Sequence, residues 1–198
     1  MSIDLNPANV LQWTKEGRVF SAGGGALTTP EANWATDLVR QTPIFYVRVP
    51  AGTVIVPILS TVTPEATGAA VLQVLVSSAN NDIGVSNAVA ATPVNMNSRY
   101  ATTSSRVIPY ATVTGATGTA PTGVVDAWRW YQQVDNDAIT GAPTPPITYD
   151  PFNGKGAPLI VGQHSAINTY MFYFANGTSS TGFHIHQWAE FTYDEFYA

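Results

Sequence analysis

Residues 43–63, PIFYVRVPAGTVIVPILSTVT, decide the fold class of this chain. β-branched and aromatic side chains fill both halves of the stretch, and a short turn at 51–53 separates them. Such residues favour β-strands, and glycine and proline mark where strands end. Pro57 cannot donate to a sheet ladder, so the second strand is predicted to lie at an edge or to be bulged there. The stretch therefore predicts two consecutive strands.

Further strand patterns follow at turn-separated intervals. The clearest are residues 70–79, 124–134, 167–174 and 183–193. An Asn-Gly pair at 176–177 predicts a tight turn that joins the last two as a hairpin. With the shorter segments, about eight antiparallel strands are expected, which is typical of an all-β sandwich or a single jelly roll. We predict one such domain over residues 42–198.

Residues 1–41 lack this strand pattern, and we predict that they form an extended N-terminal arm with short helical turns. Three consecutive glycines at 23–25 are interpreted as a flexible break. Disordered segments are poor in aromatic residues, yet this one contains Trp13, Phe20 and Trp34. We therefore expect the arm to bury these rings against a neighbouring subunit.

The charge content is low, and this restricts the classes of partner. Charged residues make up 11% of the 198 residues, and the formal net charge is −5, whereas typical globular domains contain about 25% charged residues. The eight Lys and Arg are scattered singly. Nucleic acids and anionic membranes require clustered cations. We therefore expect neither as a partner.

Composition also bears on assembly and location. A weakly charged surface gives little repulsion between copies, and the 11% of aromatic residues offer interface anchors, so we expect a homo-oligomer. The chain has no cysteine, so disulfides cannot stabilise it. The N-terminus lacks a signal-peptide pattern, and the longest apolar run, residues 54–59, is too short to cross a bilayer. We expect synthesis in a cytoplasm.

The three histidines lie in the last fifth of the chain and raise the question of a metal site. On a strand, His184, His186 and Glu190 share one face. This His-x-His-x3-Glu string resembles the first metal-binding motif of the cupins, which would imply a metal-binding β-barrel. In cupins the second motif follows the first, whereas the match to it here, at 162–168, precedes it. The alternation equally fits the polar side of a terminal strand, and we expect no metal.

Catalytic patterns are not evident. The chain contains neither a cysteine nor the Gly-x-Ser-x-Gly motif of serine hydrolases. Asp135 and Asp137 are interpreted as solvated loop charges rather than as the paired carboxylates of a glycosidase. We therefore predict a protein that is not an enzyme, with no catalytic residue and no cofactor.

Aromatic residues leave two interpretations open. Exposed rings stack on sugars, which would make the chain a carbohydrate-binding or receptor-binding module. Alternatively, rings such as those of Trp128 and Trp130 fill a core or a subunit interface, which their position on strands favours. The predicted interface residues are Trp13, Phe20, Trp34, Trp188, Phe191, Tyr193, Phe196 and Tyr197.

Taken together, the low charge, the Thr-, Gly- and Pro-rich loops, the N-terminal arm and the aromatic C-terminus resemble the single jelly-roll cement or decoration proteins of tailed-bacteriophage heads. Residues 46–57 look like the paired strands of viral jelly rolls. The resemblance implies a structural protein of the virion, either a cement or decoration protein or a minor coat subunit. It also implies a homo-oligomer, with a trimer favoured, that binds the major capsid protein.

Overall fold

Eleven β-strands dominate the part of the chain that the structure, a computed structural model, describes: residues 6–25, 37–65, 70–112, 117–134, 145–176 and 181–198. The strands are β1 Val19–Gly24, β2 Phe45–Val49, β3 Thr53–Glu65, β4 Ala70–Ala79, β5 Val89–Ala90, β6 Val94–Asn95, β7 Ile108–Ala111, β8 Val125–Val134, β9 Ile147–Tyr149, β10 Asn168–Asn176 and β11 Thr181–Thr192. Two α-helices, α1 Pro7–Lys15 and α2 Tyr193–Tyr197, and two 3-10 turns, Ser98–Tyr100 and Pro151–Asn153, accompany them.

The strands form two antiparallel sheets. One has five strands in the order β6-β1-β11-β3-β9, and the other has six in the order β5-β7-β2-β10-β4-β8. The prediction of an all-β sandwich is confirmed. The sequence pattern missed β1, β5 and β9. Three of the eleven strands, β5, β6 and β7, lie in an insertion, residues 80–124, between β4 and β8.

Without that insertion, the remaining eight strands have the winding of a jelly roll. One sheet reads β1-β11-β3-β9 and the other β2-β10-β4-β8. The chain changes sheet at every connection except the one from β4 to β8, which pair with each other. Each sheet therefore holds strands from both ends of the chain, which is how two Greek keys wind into a jelly roll.

This winding corrects the predicted C-terminal hairpin. β10 pairs with β2 and β4, whereas β11 pairs with β1 and β3 in the opposite sheet. The Asn-Gly pair was expected to join two paired arms, but the arms face each other across the core. Both strands are rich in apolar residues, and burial between the sheets satisfies them as well as pairing in one sheet would.

The main core lies between the sheets, and each sheet also buries part of its outer face. On β10, Tyr170, Phe172 and Phe174 face the core. Met171 and Tyr173 face outward, where residues 37–44 and 80–88 cover them. Both faces of this strand are therefore buried, which explains its unbroken apolar sequence.

The outer face of the five-stranded sheet is covered by both helices. Trp13 of α1 contacts Phe191 of β11 edge-to-face with ring centroids 5.4 Å apart, and Phe196 of α2 also contacts Phe191 at 5.4 Å. Amphipathic burial of this kind stabilises short helices that could not persist alone. The N-cap Asn6 accepts a hydrogen bond from the Ala8 amide, which starts α1.

The predicted N-terminal segment contains the expected short helix, α1, but for its described part the prediction of an arm is wrong. β1 lies between β6 and β11 inside a sheet, and Phe20 belongs to the main core. Gly23 is not a flexible break, because a Cβ there would lie 2.1 Å from the carbonyl oxygen of His184. The glycine lets two strands approach closely. Sequence patterning missed β1 because it is short and glycine-rich. Trp34 lies outside the described residues.

Pro57 lies at a bulge, which is one of the two alternatives predicted for it. β3 is not an edge strand, since it lies between β11 and β9. Its pairing with β11 shifts where Gln187 lies opposite Leu59 and Trp188 opposite Pro57, so β3 bulges at this point. A bulge accommodates the missing N–H donor of proline.

Candidate functional site

The three metal-ligand candidates lie on the inner face of β11, but they do not form a metal cluster. His184 and His186 are each only 1% exposed, and Glu190 is buried as well. Nδ1 of His184 lies 2.9 Å from Nε2 of His186, at hydrogen-bond distance. The residues that the structure describes include no group of three or more potential ligands.

The histidines belong to a buried chain of hydrogen bonds in the core. Nδ1 of His186 lies 2.8 Å from Oγ of Ser60, and this oxygen lies 2.6 Å from the hydroxyl of Tyr170. Phe45 stacks on the His186 ring with centroids 3.8 Å apart. Burial, together with the neighbouring His184, lowers the pKa of His186 well below its usual range. Neutral imidazole is therefore the form that the core holds.

Glu190 holds the insertion against the sandwich. Its Oε1 accepts hydrogen bonds from Nε1 of Trp188 (2.8 Å) and from Oγ of Ser105 (2.5 Å), and its Oε2 accepts one from the Arg106 amide (2.8 Å). Burial raises the pKa of this carboxyl group, while these hydrogen bonds oppose the rise. The carboxylate is thus occupied by the protein itself, and the geometry supports a structural role.

Most predicted interface aromatics are buried within the single chain. Trp13, Phe20, Trp188, Phe191 and Phe196 belong to the core clusters. For these five the prediction of an intermolecular contact is wrong, because the helices and β1 fold back onto the sheets.

Two of the predicted interface aromatics reach the surface. Tyr193 is half-buried, and Tyr197 is exposed. Their rings lie 4.6 Å apart at the end of the chain.

A different set of exposed apolar side chains lies on the insertion. We call it the insertion patch; it consists of Val89, Val94, Met96 and Ile108, on or next to β5, β6 and β7. The chain passes from the six-stranded to the five-stranded sheet between β5 and β6, so the patch lies along one edge of the sandwich. Sequence patterning did not single out these residues, because none is aromatic and the surrounding segment lacks periodicity.

The opposite edge, between β8 and β9, contains a groove of about 430 Å³. Trp128 and Trp130 of β8 line it, both half-buried and in contact with the main core. Gln132 continues the same face of β8, and Thr148 of β9 and Lys155 contribute further polar groups. Patterning found the shared face of the two tryptophans, but it could not find the groove, because β9 and the loop around Lys155 are distant in sequence.

The loop at residues 154–156 is held tightly against the groove. Asp150 and Lys155 exchange two backbone hydrogen bonds, of 3.0 and 2.9 Å. Gly156 has a φ of +114°, and a Cβ there would lie 2.6 Å from the ring of Tyr149. Only glycine fits this position. The Ala157 amide donates to the carbonyl oxygen of Ala127 (3.0 Å), which ties the loop to β8.

Comparison with known proteins assigns the chain to no family. No protein-family model, no curated protein and no solved structure matches the chain. Neither α1, α2 nor any other helix of the described residues has the length and apolar character needed to span a membrane.

Proposed function

We propose that the protein is a structural component of a virus particle, a jelly-roll subunit that packs against copies of itself and against the major capsid protein. The observation that carries the proposal is the strand order β1-β11-β3-β9 facing β2-β10-β4-β8. Viral capsid domains use this winding, and so do lectins and cupins. Because a fold alone does not define a function, the properties of the surface have to distinguish among these classes of protein.

The surface favours assembly. Only 11% of residues are charged, so closely packed copies repel each other weakly. The insertion patch adds exposed branched and long apolar side chains at one edge, with Val94 60% and Val89 59% exposed. Because an exposed apolar side chain gains free energy when a partner covers it, we propose this edge as the contact with other proteins. A role as cement, decoration or minor coat protein in the virion fits this surface.

The other classes have less support. A cupin-like metalloprotein needs ligands that converge, whereas Glu190 is engaged by Trp188, Ser105 and Arg106. We propose no catalytic role and no cofactor for the histidines, because their hydrogen bonds connect them to Ser60 and Tyr170 inside the core. Nucleic acid and membranes are not among the proposed partners, because the cations do not cluster in the sequence.

Sedimentation and mass measurement in solution test the proposal. At micromolar concentration the chain of 21.1 kDa should sediment as a multiple of that mass, with a trimer favoured. We expect Val94→Asp to shift the species toward the monomer, since a charge in an apolar contact is not compensated. Val125→Asp is the matched control, because Val125 is similarly exposed (55%) at the opposite edge.

Two results would count against the proposal. A monomer at micromolar concentration, with no capsid protein found by mass spectrometry in co-purifying particles, contradicts a structural role in a virion. An oligomer that survives Val94→Asp but dissociates with Val125→Asp contradicts the use of the insertion patch. Thermal melting of both variants shows whether they remain folded.

A further inference from the structure

We propose that the groove between β8 and β9 is a carbohydrate-binding site. This inference goes beyond the structural role proposed above and does not depend on it, because the groove lies on the edge opposite the insertion patch. Its volume of about 430 Å³ falls within the range of small-molecule sites.

The two indoles provide a stacking platform. Trp128 and Trp130 are two residues apart on one face of an edge strand, so their Cα atoms lie about 7 Å apart. β9 is only three residues long and pairs with residues 60–62 of β3. It therefore leaves part of β8, the edge strand of the opposite sheet, uncovered. The apolar face of a sugar ring packs on such aromatic surfaces, because its C–H groups meet the electron-rich face of the ring.

Polar groups in the same groove suit the hydroxyl groups of a sugar. The amide of Gln132 both donates and accepts hydrogen bonds, and the ammonium of Lys155 donates. The hydroxyl of Thr148 lies 3.3 Å from that of Thr61, and its oxygen has a second lone pair with which to accept a bond. Apolar walls with a few polar groups that fix orientation are the usual composition of a ligand site. A purely apolar partner surface would offer no hydrogen bonds to the amide of Gln132 and the ammonium of Lys155.

The charge and the rigidity of the groove restrict the class of ligand further. Lys155 is the one charged side chain among the described residues that line the groove. A neutral or anionic saccharide is therefore accepted, and a cationic ligand is disfavoured. The groove is also preformed, since Gly156 packs against Tyr149 and the Tyr149 hydroxyl donates to the Ala157 carbonyl (2.8 Å). A preformed site loses little entropy on binding.

The test begins with an array of neutral and sialic-acid-terminated oligosaccharides probed with the full-length protein. Titration calorimetry with the best-bound oligosaccharide then measures affinity for the variants. We expect Trp130→Ala to weaken binding at least about tenfold, a loss of about 1.4 kcal/mol. Tyr131→Ala is the matched control, because Tyr131 is 62% exposed on the same strand but on its other face. Its affinity should stay within about twofold of the original.

Further variants separate the contributions. Lys155→Gln should weaken the binding of sialic-acid-terminated oligosaccharides more than that of neutral ones, since it removes the one cation among the described lining residues. Trp130→Phe keeps an aromatic face and much of the packing, so it serves if Trp130→Ala fails to fold. Its affinity should fall between those of the original protein and of Trp130→Ala.

Several outcomes overturn the site. They are the absence of binding to any oligosaccharide on the array, an affinity unchanged in both Trp130 variants, and equal losses in Trp130→Ala and Tyr131→Ala. Binding of a proline-rich peptide in place of sugars also overturns it, since aromatic grooves take such peptides as well. Sedimentation of the same samples reports assembly separately, so failure of the sugar site and failure of the structural role are distinguishable.

Discussion

The two long edges of the sandwich are built differently. At one edge β6 extends the five-stranded sheet and β5 and β7 extend the six-stranded sheet, and Ala91 and Val107 close the core between them. At the other edge β8 and the short β9 face each other, and Trp128 and Trp130 remain half-buried around a groove.

The difference shows how one fold can offer two kinds of surface. The insertion covers the first edge and is anchored by the buried carboxylate of Glu190, so that edge exposes apolar side chains of the insertion itself. Among the described residues, no further strand pairs with the free side of β9, so the second edge exposes the rim of the core. A patch on a covered edge suits a protein contact, whereas a concave, partly polar rim suits a small ligand.

The largest effect should come from comparing Trp188, on the central strand β11 and bonded to the Glu190 that anchors the covered edge, with Trp130 at the open edge. Trp188 is 2% exposed, and Trp188→Ala should lower the free energy of unfolding by about 3–5 kcal/mol, through lost burial and a cavity. Trp130 is half-buried, so Trp130→Ala should cost about 1–2 kcal/mol. Urea denaturation measures both. Equal losses would contradict the description of one edge as closed and the other as open.

The anchor of the covered edge can be broken with one substitution. In Glu190→Gln, one oxygen becomes an NH2 group, so a donor now faces either the Arg106 amide or the indole N–H of Trp188. We expect a loss of about 1–3 kcal/mol in unfolding free energy. Hydrogen exchange at the amides of Arg106 and Val107 should accelerate as the insertion loosens. The exposed Asp37→Asn is the control; a slow, unchanged exchange in Glu190→Gln would show that the anchor is elsewhere.

The buried histidine chain should make stability depend on pH. Because the pKa of folded His186 is lowered from 6.5, the unfolded chain takes up a proton first, and stability is lost as pH falls below about 6.5. The slope is at most about 1.4 kcal/mol per pH unit for one proton. The raised pKa of Glu190 acts in the opposite direction, since its contribution is present at low pH and is lost as pH rises above 4.5.

The two contributions are separated by working in the Glu190→Gln background. There, His186→Phe should flatten the loss of unfolding free energy below pH 6.5, because the core no longer holds a histidine whose pKa is lowered. His164→Gln, at an exposed position, should leave the profile unchanged. A profile that stays equally steep without His186 would assign the pH dependence to other groups.

The smallest effect concerns an ion pair near the open edge. Arg40 binds both carboxylate oxygens of Asp126 on β8, at 2.8 and 2.7 Å, and the guanidinium lowers the pKa of Asp126. Both side chains are more than a third exposed, so Asp126→Asn should cost less than about 1 kcal/mol. The difference should shrink at high salt. A larger loss of unfolding free energy that does not depend on salt would mean that the Arg40–Asp126 pair holds β8 in place.

Particular residues show how far sequence reasoning reached. The strand at residues 45–49 and the shared face of Trp128 and Trp130 were predictable, because alternation and β-branched content are local properties. The common face of His184, His186 and Glu190 was also predictable, but their partners were not. Ser60 is 126 residues from His186, Ser105 is 85 residues from Glu190, and Tyr170 is 110 residues from the Ser60 hydroxyl to which it is bonded. No spacing rule along one segment could connect them.

The sequence by itself determined the class of the fold. Its β-branched and aromatic runs, divided by glycine and proline, can satisfy their backbone and bury their side chains only as short strands. Which strands pair was decided by the tertiary structure. β10 and β11 look like a hairpin but lie in opposite sheets, and β1 was predicted to lie in a free arm but lies inside a sheet. Strand formation depends on neighbours in the chain, whereas pairing depends on which distant strands bury the most apolar surface together. The insertion patch and the groove follow from that second choice alone.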